Sequence, residues 1–489
     1  MTKGITPKSD GHSKWYTDVI TKAELADYGP VKGTMVIRPY GFAIWELVKD
    51  EFDRQFKETG HSNAYFPLFI PKSFLAKEAA HVEGFAKECA IVTHSRLMTD
   101  SDNSIQVDPS SKLEEEIIVR PTSETIIWHM YKKWINSYRD LPILINQWAN
   151  VVRWEMRTRL FLRTSEFLWQ EGHTAHANKE EAIEETLKIL DIYQSISHKH
   201  LAMPVLTGRK TDSEKFAGAV DTYCIEAMMG DKRALQAGTS HYLGQNFAKA
   251  FDVKFQTENN TEEYVFASSW GVSTRLIGAI IMVHGDDSGL RLPPSIAPTQ
   301  VVVVPFFKNA DELKDIQKYI DPYINQLSDL GIRVLFDDRE KMSPGFKFNE
   351  WELKGAPIRL EIGFKEIENN QITVFRRDTK DKDSISSDSV VSHVSNLLLE
   401  IQDNLFNQAN EFMNSNIFKT NSYDEFKNII NNGGFIRCGW DGTEESEKKI
   451  KEDTKATIRC IPFDESPINL TCILTGNPAK HEVIFAKAY

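Results

Sequence analysis

Apolar residues recur at helical spacing near the start of the chain and alternate with polar residues further along. Between Ile44 and Phe56 they fall three or four positions apart, which predicts an amphipathic helix that Gly60 is placed to end. The next segment, Asn63–Pro71, is rich in aromatic residues and holds two prolines, as is typical of a strand at an edge or an interface. The segments Gln147–Glu155 and Phe167–His173 alternate, and we predict that both are strands.

The pattern changes near Pro298. The segment Gln300–Phe306 is almost entirely apolar, which predicts a strand buried on both faces. Helices and short strands alternate after it, so we expect a small, mostly parallel sheet with helices on both faces and a loop at the polar segment Asp381–Ser389. A charged helical stretch, Glu444–Lys455, and short strands end the chain. These changes predict three domains, at residues 1–298, 299–403 and 404–489.

Composition limits the class of protein. The 489 residues are 41% hydrophobic and 26% charged, enough for several domains, and no run of about 18 apolar residues predicts a membrane span. Residues 1–13 are polar, so we expect a cytoplasmic protein whose five cysteines are reduced. The net charge of -12 does not exclude an RNA partner, because basic segments such as Lys347–Arg359 can form a local positive strip. A solvated charged surface is the alternative.

Candidate chemistry concentrates on the two alternating strands. Side chains two apart project from the same face of a strand, so Arg153 and Glu155 lie together on one side. On the second strand the same spacing gathers Arg163, Phe167, Trp169, Glu171 and His173. An unpaired charge buried in an ordinary core costs several kcal/mol, so these residues favour a polar pocket over a packed core, with a solvated sheet face as the alternative.

The segment Ala64-Tyr-Phe-Pro67 is the first of three short motifs along the chain, and it resembles motif 1 of the class II aminoacyl-tRNA synthetases, which in that family lies at the dimer interface. The residues Arg153-Trp-Glu155, followed by Arg163-x3-Phe167-x3-Glu171, resemble motif 2, and Ser269-Trp-Gly-Val-Ser-Thr-Arg275 resembles motif 3. Longer phrases are similar to those of prolyl-tRNA synthetases of the archaeal and eukaryotic type: Arg120–Glu124, Arg163–His173 and Gln236–Gly244.

The resemblance covers nearly the whole chain and implies an α+β protein. It implies a class II catalytic domain built on an antiparallel sheet, then an α/β anticodon-binding domain and a small α+β C-terminal domain. The implied partners are ATP, Mg²⁺, L-proline and tRNA(Pro), and the implied assembly is a homodimer.

Amino-acid activation develops negative charge on phosphate oxygens, which fixed cations must meet. The resemblance implies that Arg153 binds the α-phosphate and the proline carboxylate, and that Arg275 binds the far end of ATP. Arginine suits both positions because its guanidinium binds oxyanions in bidentate fashion. The other implied ATP-binding residues are Glu155, Thr164, Ser165, Gln236, Thr239 and Ser273, with Mg²⁺ bridging phosphate oxygens near Gln236.

Proline needs an apolar wall for its ring and acceptors for its two N–H groups. The implied proline-binding residues are Thr122, Ser123, Glu124, Arg153, Trp169, Glu171, His173 and His241. Thr122 or Ser123 is also placed to cap the following helix. The segment Lys215–Ala219 resembles a family loop near the amino acid, with an ordinary glycine turn as the alternative.

The chain departs from some relatives in two places. Only about 100 residues separate Glu171 from Arg275, too few for the editing domain of bacterial-type prolyl enzymes, so we expect mischarging with alanine or cysteine and separate editing proteins that act in trans. In the C-terminal domain, Cys438 and Cys472 stand where two zinc ligands would be, but Thr443 and Thr475 occupy the other two places. Since threonine is not a zinc ligand, we expect no bound zinc.

Anticodon contacts are predicted at Glu350, Arg359 and Lys365, for which a set of surface ion pairs is the alternative. A non-catalytic paralogue of a synthetase would be expected to have lost one of the phosphate-binding arginines, and all are present. A threonyl or glycyl enzyme would share the three motifs and would differ in the pocket phrases.

Overall fold

A computed structural model of the chain describes residues 4–75, 89–155 and 157–489. It has an α+β architecture in which three units follow one another along the chain. In the described part of the chain, no helix combines the length and the apolar character that crossing a bilayer requires.

The first unit ends near residue 298. Its helices are α1 (Lys8–Lys22), α2 (Pro39–Glu58), α3 (Lys72–Leu75), α4 (Glu124–Trp134), α5 (Lys179–Lys199), α6 (Asn246–Phe251) and α7 (Arg275–His284). Its strands are β1 (Ala26–Tyr28), β2 (Met35–Ile37), β3 (Ser62–Asn63), β4 (Phe69–Pro71), β5 (Ile91–His94), β6 (Leu97–Thr99), β7 (Ile105–Val107), β8 (Lys112–Val119), β9 (Ile143–Val152), β10 (Glu166–His176), β11 (Val205–Arg209), β12 (Asp221–Met228), β13 (Ala234–Gly244), β14 (Lys254–Gln256), β15 (Glu262–Tyr264) and β16 (Phe266–Ser273).

An antiparallel sheet in the order β11-β12-β13-β16-β10-β9 forms the centre of this unit, with β3 parallel at one edge. Helix α5 covers one face, where Ile189 and Tyr193 pack in the same apolar core as Trp270. The Tyr193 hydroxyl donates to Gln170 Oε1 at 2.8 Å, which fixes that face of β10 against the helix. Alternation therefore turns the next residue, Glu171, to the opposite face.

The second unit holds β17 (Val301–Pro305), α8 (Ala310–Asp329), β18 (Val334–Phe336), α9 (Pro344–Leu353), β19 (Ile358–Ile362), α10 (Phe364–Glu368), β20 (Gln371–Arg376), β21 (Lys382–Ser386) and α11 (Val390–Ser415). The strand predicted near Pro298 is confirmed and is buried throughout. The sheet runs β18-β17-β19-β20-β21, and only the pairings of β17 are parallel. The prediction of a mostly parallel sheet was therefore wrong, as was the predicted loop at Asp381–Ser389, most of which forms the edge strand β21.

The third unit holds β22 (Ile417–Lys419), α12 (Tyr423–Asn432), β23 (Phe435–Trp440), α13 (Glu444–Thr454), β24 (Thr457–Pro462) and β25 (His481–Ala486). Its strand β24 pairs with β11 of the first unit, through Gly208 with Pro462 and Arg209 with Ile461. The two sheets thereby become one sheet of eleven strands. The third unit is thus a lateral extension of the central sheet.

Candidate active site

A cavity of about 500 Å³ lies on the face of the central sheet opposite α5. A second cavity, of about 550 Å³, adjoins it and shares with it Arg153, Phe167, Ser273 and Arg275. Most of the residues predicted from the sequence line the first cavity: Thr122, Glu124, Arg153, Trp169, Glu171, His173, Gln236, Thr239, His241, Ser273 and Arg275. Glu155 and Thr164 line the second.

Arg153 lies at the junction of the two cavities. Its Nε donates to the carbonyl oxygen of Pro121 at 3.0 Å, and its guanidinium carbon lies 5.5 Å and 5.3 Å from the ring centroids of Phe167 and Trp169. Burial lowers the pKa of Arg153 to about 10, so the group stays positive at neutral pH. A planar cation held in this way can bind oxyanions that enter from either side.

Arg275 is the first residue of α7. Its Nε donates to the carbonyl oxygen of Leu162 at 3.2 Å, and its Nη1 donates to that of Gln236 at 3.3 Å. Its backbone N–H donates to Ser273 Oγ at 3.2 Å, and burial lowers the pKa of its guanidinium. A cation at a helix N-terminus, where the helix dipole also favours negative charge, gives the cavity a second anion-binding position.

Glu171 is a buried carboxylate whose orientation is fixed by its neighbours. Its Oε1 accepts from Ser123 Oγ at 2.5 Å and from Gln147 Nε2 at 2.8 Å, and its Oε2 lies 3.1 Å from His173 Nε2. Ser123 occupies the N-cap position of α4, but its side chain does not cap the helix. The hydroxyl orients Glu171 instead, which corrects the capping prediction.

His241 lines the same cavity and is neutral. Burial lowers the pKa of His241 to about 4, so the imidazole is uncharged at neutral pH. Its Nδ1 lies 2.9 Å from Thr222 Oγ1, and its ring centroid lies 4.6 Å from that of Phe216. On the same side, the Thr122 hydroxyl donates to the carboxylate of Glu124.

The second cavity is strongly basic. Arg163 Nε pairs with Glu155 Oε2 at 2.6 Å, and Arg157, Arg159 and Arg233 also contribute to the lining. The terminal residue Tyr489 closes one side of the cavity. Its ring centroid lies 5.1 Å from the guanidinium carbon of Arg159 and 5.7 Å from that of Arg233, and its hydroxyl donates to Asp231 at 2.5 Å.

Three features of the site differ from the sequence prediction. Strand β9 ends at Val152 and β10 begins at Glu166, so Arg153, Glu155 and Arg163 lie in the connecting loop rather than on a strand face. Ser165 lies outside both cavities, and its backbone N–H donates to the carbonyl oxygen of Gly33 at 2.8 Å. Ser123 also lies outside both linings and reaches the site through Glu171.

Sequence reasoning also missed several residues of the second cavity, among them Arg157, Arg159, Arg233 and Ala488. The run of four arginines between residues 153 and 163 was the available signal for the first two. Arg233 and Ala488 carry no local signal, because the fold alone brings them together through a bridge between Ala234 and Ala488.

Two of the three residues predicted to contact the anticodon are engaged in ion pairs. Glu350 accepts from Arg339 at 2.7 Å and from Lys354 at 2.9 Å. Arg359 pairs with Glu361 at 2.9 Å and is sandwiched between two phenylalanine rings, with centroids at 4.0 Å and 4.1 Å. The third, Lys365, is exposed on α10.

The C-terminal residues do not fit a zinc ion. Cys438 and Cys472 are buried, but Thr443 and Thr475 both donate to the carboxylate of Asp441, at 2.9 Å and 2.8 Å. The two threonines are thus hydrogen-bonded to a carboxylate, and neither supplies the thiolate that a four-ligand zinc site would need at its position. Among the residues that the structure describes, no cluster of three or more His, Cys, Asp or Glu side chains could hold a metal ion.

Known proteins are similar to this chain over its whole length. Three family models match it in order: the class II tRNA synthetase core domain of the G, H, P, S and T enzymes over residues 106–284, an anticodon-binding domain over 300–397, and a C-terminal domain of prolyl-tRNA synthetase over 423–489. The chain is 59% identical to a proline–tRNA ligase from Azobacteroides pseudotrichonymphae, 58% to one from Bacteroides fragilis and 57% to one from Phocaeicola vulgatus. Each alignment covers 100% of this chain and 99% of the relative.

Proposed function

Because this chain belongs to the prolyl-tRNA synthetases of class II, we propose that it activates L-proline with ATP and transfers the prolyl group to the 3′ end of tRNA(Pro). One observation carries the assignment of the site. Two adjoining cavities, one with a carboxylate and aromatic walls and the other strongly basic, meet at Arg153 and Arg275. That arrangement suits an amino acid and a nucleotide whose reacting groups must meet between them.

In the activation step, a proline carboxylate oxygen attacks the α-phosphorus of ATP. A bond from that oxygen to phosphorus forms, the bond to the bridging β-phosphate oxygen breaks, and pyrophosphate leaves with the electron pair. Arg153 holds the carboxylate and the α-phosphate together, and Arg275 binds the far phosphates. The attacking carboxylate is already ionised, so positioning replaces a general base.

The proline ring and its secondary ammonium fit the first cavity. The Glu171 carboxylate, held by Ser123 and Gln147, accepts an ammonium N–H. Trp169 supplies the wall for the ring, and neutral His241 adds no competing positive charge. The oriented carboxylate and the apolar wall together favour a secondary ammonium.

The adenosine and the tRNA end fit the second cavity. Glu155 accepts from the adenine amine, and Thr164 lines the nucleotide. Gln236 and Thr239 of the first cavity and Ser273, which both cavities share, complete the site, and Gln236 would lie near the Mg²⁺ that accompanies ATP and that would neutralise phosphate charge. The arginines around Tyr489 would bind phosphates of the 3′ end of tRNA.

The test is ATP–pyrophosphate exchange by the purified protein with each of proline, threonine, glycine, alanine and cysteine. Exchange should be dominated by proline and abolished in Arg153→Ala. The exposed Arg139→Ala serves as the matched control and should retain full activity. If the wild-type protein shows no exchange with any amino acid, the enzymatic proposal fails and a non-catalytic paralogue becomes the better explanation.

Mischarging is part of the proposal. Residues 172–274 are all described, and they fold as β10 to β16, α5, α6 and their connections, without an inserted domain. A proline-sized pocket rejects a smaller residue by only about 1–3 kcal/mol for each missing methylene. We therefore expect alanyl- and cysteinyl-tRNA(Pro) to accumulate in a charging assay that contains no editing protein acting in trans.

Two further parts of the proposal concern partners. The exposed side chains Tyr65 (72%) and Phe69 (49%) support a homodimer formed through the segment around β4, which sedimentation of wild type against Phe69→Glu would test. Lys365 is the candidate of the second unit best placed to contact the anticodon, because its side chain is exposed. Lys365→Ala should therefore weaken tRNA charging and leave pyrophosphate exchange unchanged.

We also propose that the protein acts in the cytoplasm, where the buried cysteines would stay reduced.

A further inference from the structure

The loop 211–217, which leads from β11 towards β12, forms one wall of the first cavity. Four of its residues, Glu214 to Ala217, line that cavity. The Phe216 ring packs on the ring of His241, and the Phe216 backbone N–H donates to Thr222 Oγ1 at 3.0 Å. The position of this loop therefore sets the width of the cavity on its amino-acid side.

The other side of the loop is bound by the third unit. The Thr211 hydroxyl donates to Glu447 Oε1 at 3.0 Å and lies 3.1 Å from Ser213 Oγ. Lys451 Nζ pairs with Glu214 Oε1 at 3.0 Å. The hydrogen bond and the ion pair both come from helix α13, more than 230 positions further along the chain.

The hydrogen bond of Thr211 and the ion pair of Glu214 differ in solvent exposure. Glu447 is only 5% exposed, and Thr211 is buried as well, so water does not compete for their hydrogen bond. The pair of Lys451 with Glu214 is solvated and contributes less. Because Glu447 and Lys451 are four apart, they lie on the same face of α13, which presents that face to the loop.

We propose that α13 positions the loop 211–217 against the amino-acid cavity, with Glu447 as the main positioning residue. Glu447 does not reach the cavity itself and acts through Thr211. Proline binding should therefore depend on α13 more than ATP binding does, since the second cavity contains no residue of this loop. This inference rests on the proposed function for its assay but not for its geometry.

The experiment compares Glu447→Ala, Glu447→Gln and the control Glu445→Ala, which is exposed on the same helix. In pyrophosphate exchange, Glu447→Ala should raise the KM for proline about tenfold, the effect of losing one hydrogen bond to a charged group, and should change the KM for ATP less than about twofold. Glu447→Gln keeps an acceptor oxygen and should recover most of the proline affinity. Thr211→Val should match Glu447→Ala, and the double variant should add nothing.

Hydrogen exchange of residues 211–219 provides a readout independent of catalysis. Hydrogen exchange of these residues should be faster in Glu447→Ala than in the wild type and should stay at the wild-type rate in Glu445→Ala. Should Glu447→Ala not fold, Thr211→Val and Lys451→Ala test the same contacts. The proposal is overturned if the proline KM of Glu447→Ala stays within about twofold of wild type. It is also overturned if the KM values for proline and ATP rise together while hydrogen exchange of the loop 211–217 is unchanged. If the wild-type protein shows no proline-dependent pyrophosphate exchange, the proposed function is refuted instead.

Discussion

A buried ion cluster joins the first unit to the third, and Glu226→Gln tests its contribution to stability. Glu226 has no solvent exposure, and its Oε1 accepts from Lys210 at 2.7 Å and from Arg459 at 2.9 Å. Its Oε2 accepts from Arg459 Nε at 3.2 Å. One carboxylate thus pairs with two buried cations, one from each unit.

The substitution keeps the shape of the side chain and removes its charge. Lys210 and Arg459 would then face each other without a counter-ion, and removing one member of a buried pair costs about 3–5 kcal/mol. Arg459→Met leaves Lys210 paired with Glu226 and loses hydrogen bonds to a charged group, at a cost of about 1.5–3 kcal/mol. The expected order of stability is wild type, then Arg459→Met, then Glu226→Gln.

Urea unfolding followed by circular dichroism measures these differences. The matched control is Glu116→Gln, which removes the charge from an exposed pair with Lys72 and should leave the midpoint unchanged, because water screens that pair. The cluster argument is wrong if Glu226→Gln is as stable as Arg459→Met.

The effect also has a defined pH dependence. Burial raises the pKa of Glu226, but Lys210 and Arg459 outweigh it, so the pKa lies below its usual value. A carboxyl with a lowered pKa stabilises the fold above its unfolded pKa of about 4.3, and this stability is lost as the pH falls through the folded pKa. The stability difference between wild type and Glu226→Gln should therefore be full at neutral pH and shrink in acid.

Three other outcomes follow from the structure. Arg153→Lys should lower kcat/KM for exchange about 10²-fold or more without changing the circular dichroism spectrum, because a point charge cannot replace a planar bidentate cation. Gly172→Ala should cost about 3 kcal/mol or more in urea unfolding, since an added Cβ would lie 2.1 Å from Trp270, whereas Gly345→Ala meets no atom within 4 Å and should be tolerated. Elemental analysis should find no stoichiometric zinc, and Asp441→Ala should lower the unfolding free energy by about 1 kcal/mol or more, because three hydroxyl groups lose their shared acceptor.

Much of the site was predictable because its residues lie close together in sequence. Trp169, Glu171 and His173 share one face of β10 through simple alternation, and the structure places all three in the first cavity. The prediction that Arg163 lies on the strand was wrong because β10 begins only at Glu166, and a turn closed by a bridge between Arg159 and Arg163 precedes it. Strand ends depend on tertiary pairing, which alternation does not encode.

Polar edge strands were harder to predict than buried ones. The run of β17 is apolar throughout, so its strand was evident, whereas β21 is mostly polar and was predicted as a loop. Its backbone is fixed by pairing with β20 alone, so its side chains need not be apolar. The short turn after β20 permits only an antiparallel return of β21, and β20 is itself antiparallel to β19, so two of the four pairings of this sheet are antiparallel.

Contacts between the first and third units carried no sequence pattern at all. Lys210 and Arg459 lie about 250 positions apart, and each alone resembles an ordinary surface charge. The pairing of β11 with β24 brings them together around Glu226, and the same junction places α13 against the loop 211–217. Glu226 also pairs with Gln236 of the neighbouring strand β13, and the carbonyl oxygen of Gln236 accepts from Arg275. Only Glu226 and Gln236 therefore separate Arg459 of the third unit from Arg275 of the candidate site along this series of contacts. The third unit therefore extends the sheet that carries the candidate site. Substitutions in it should be assayed for substrate affinity as well as for stability.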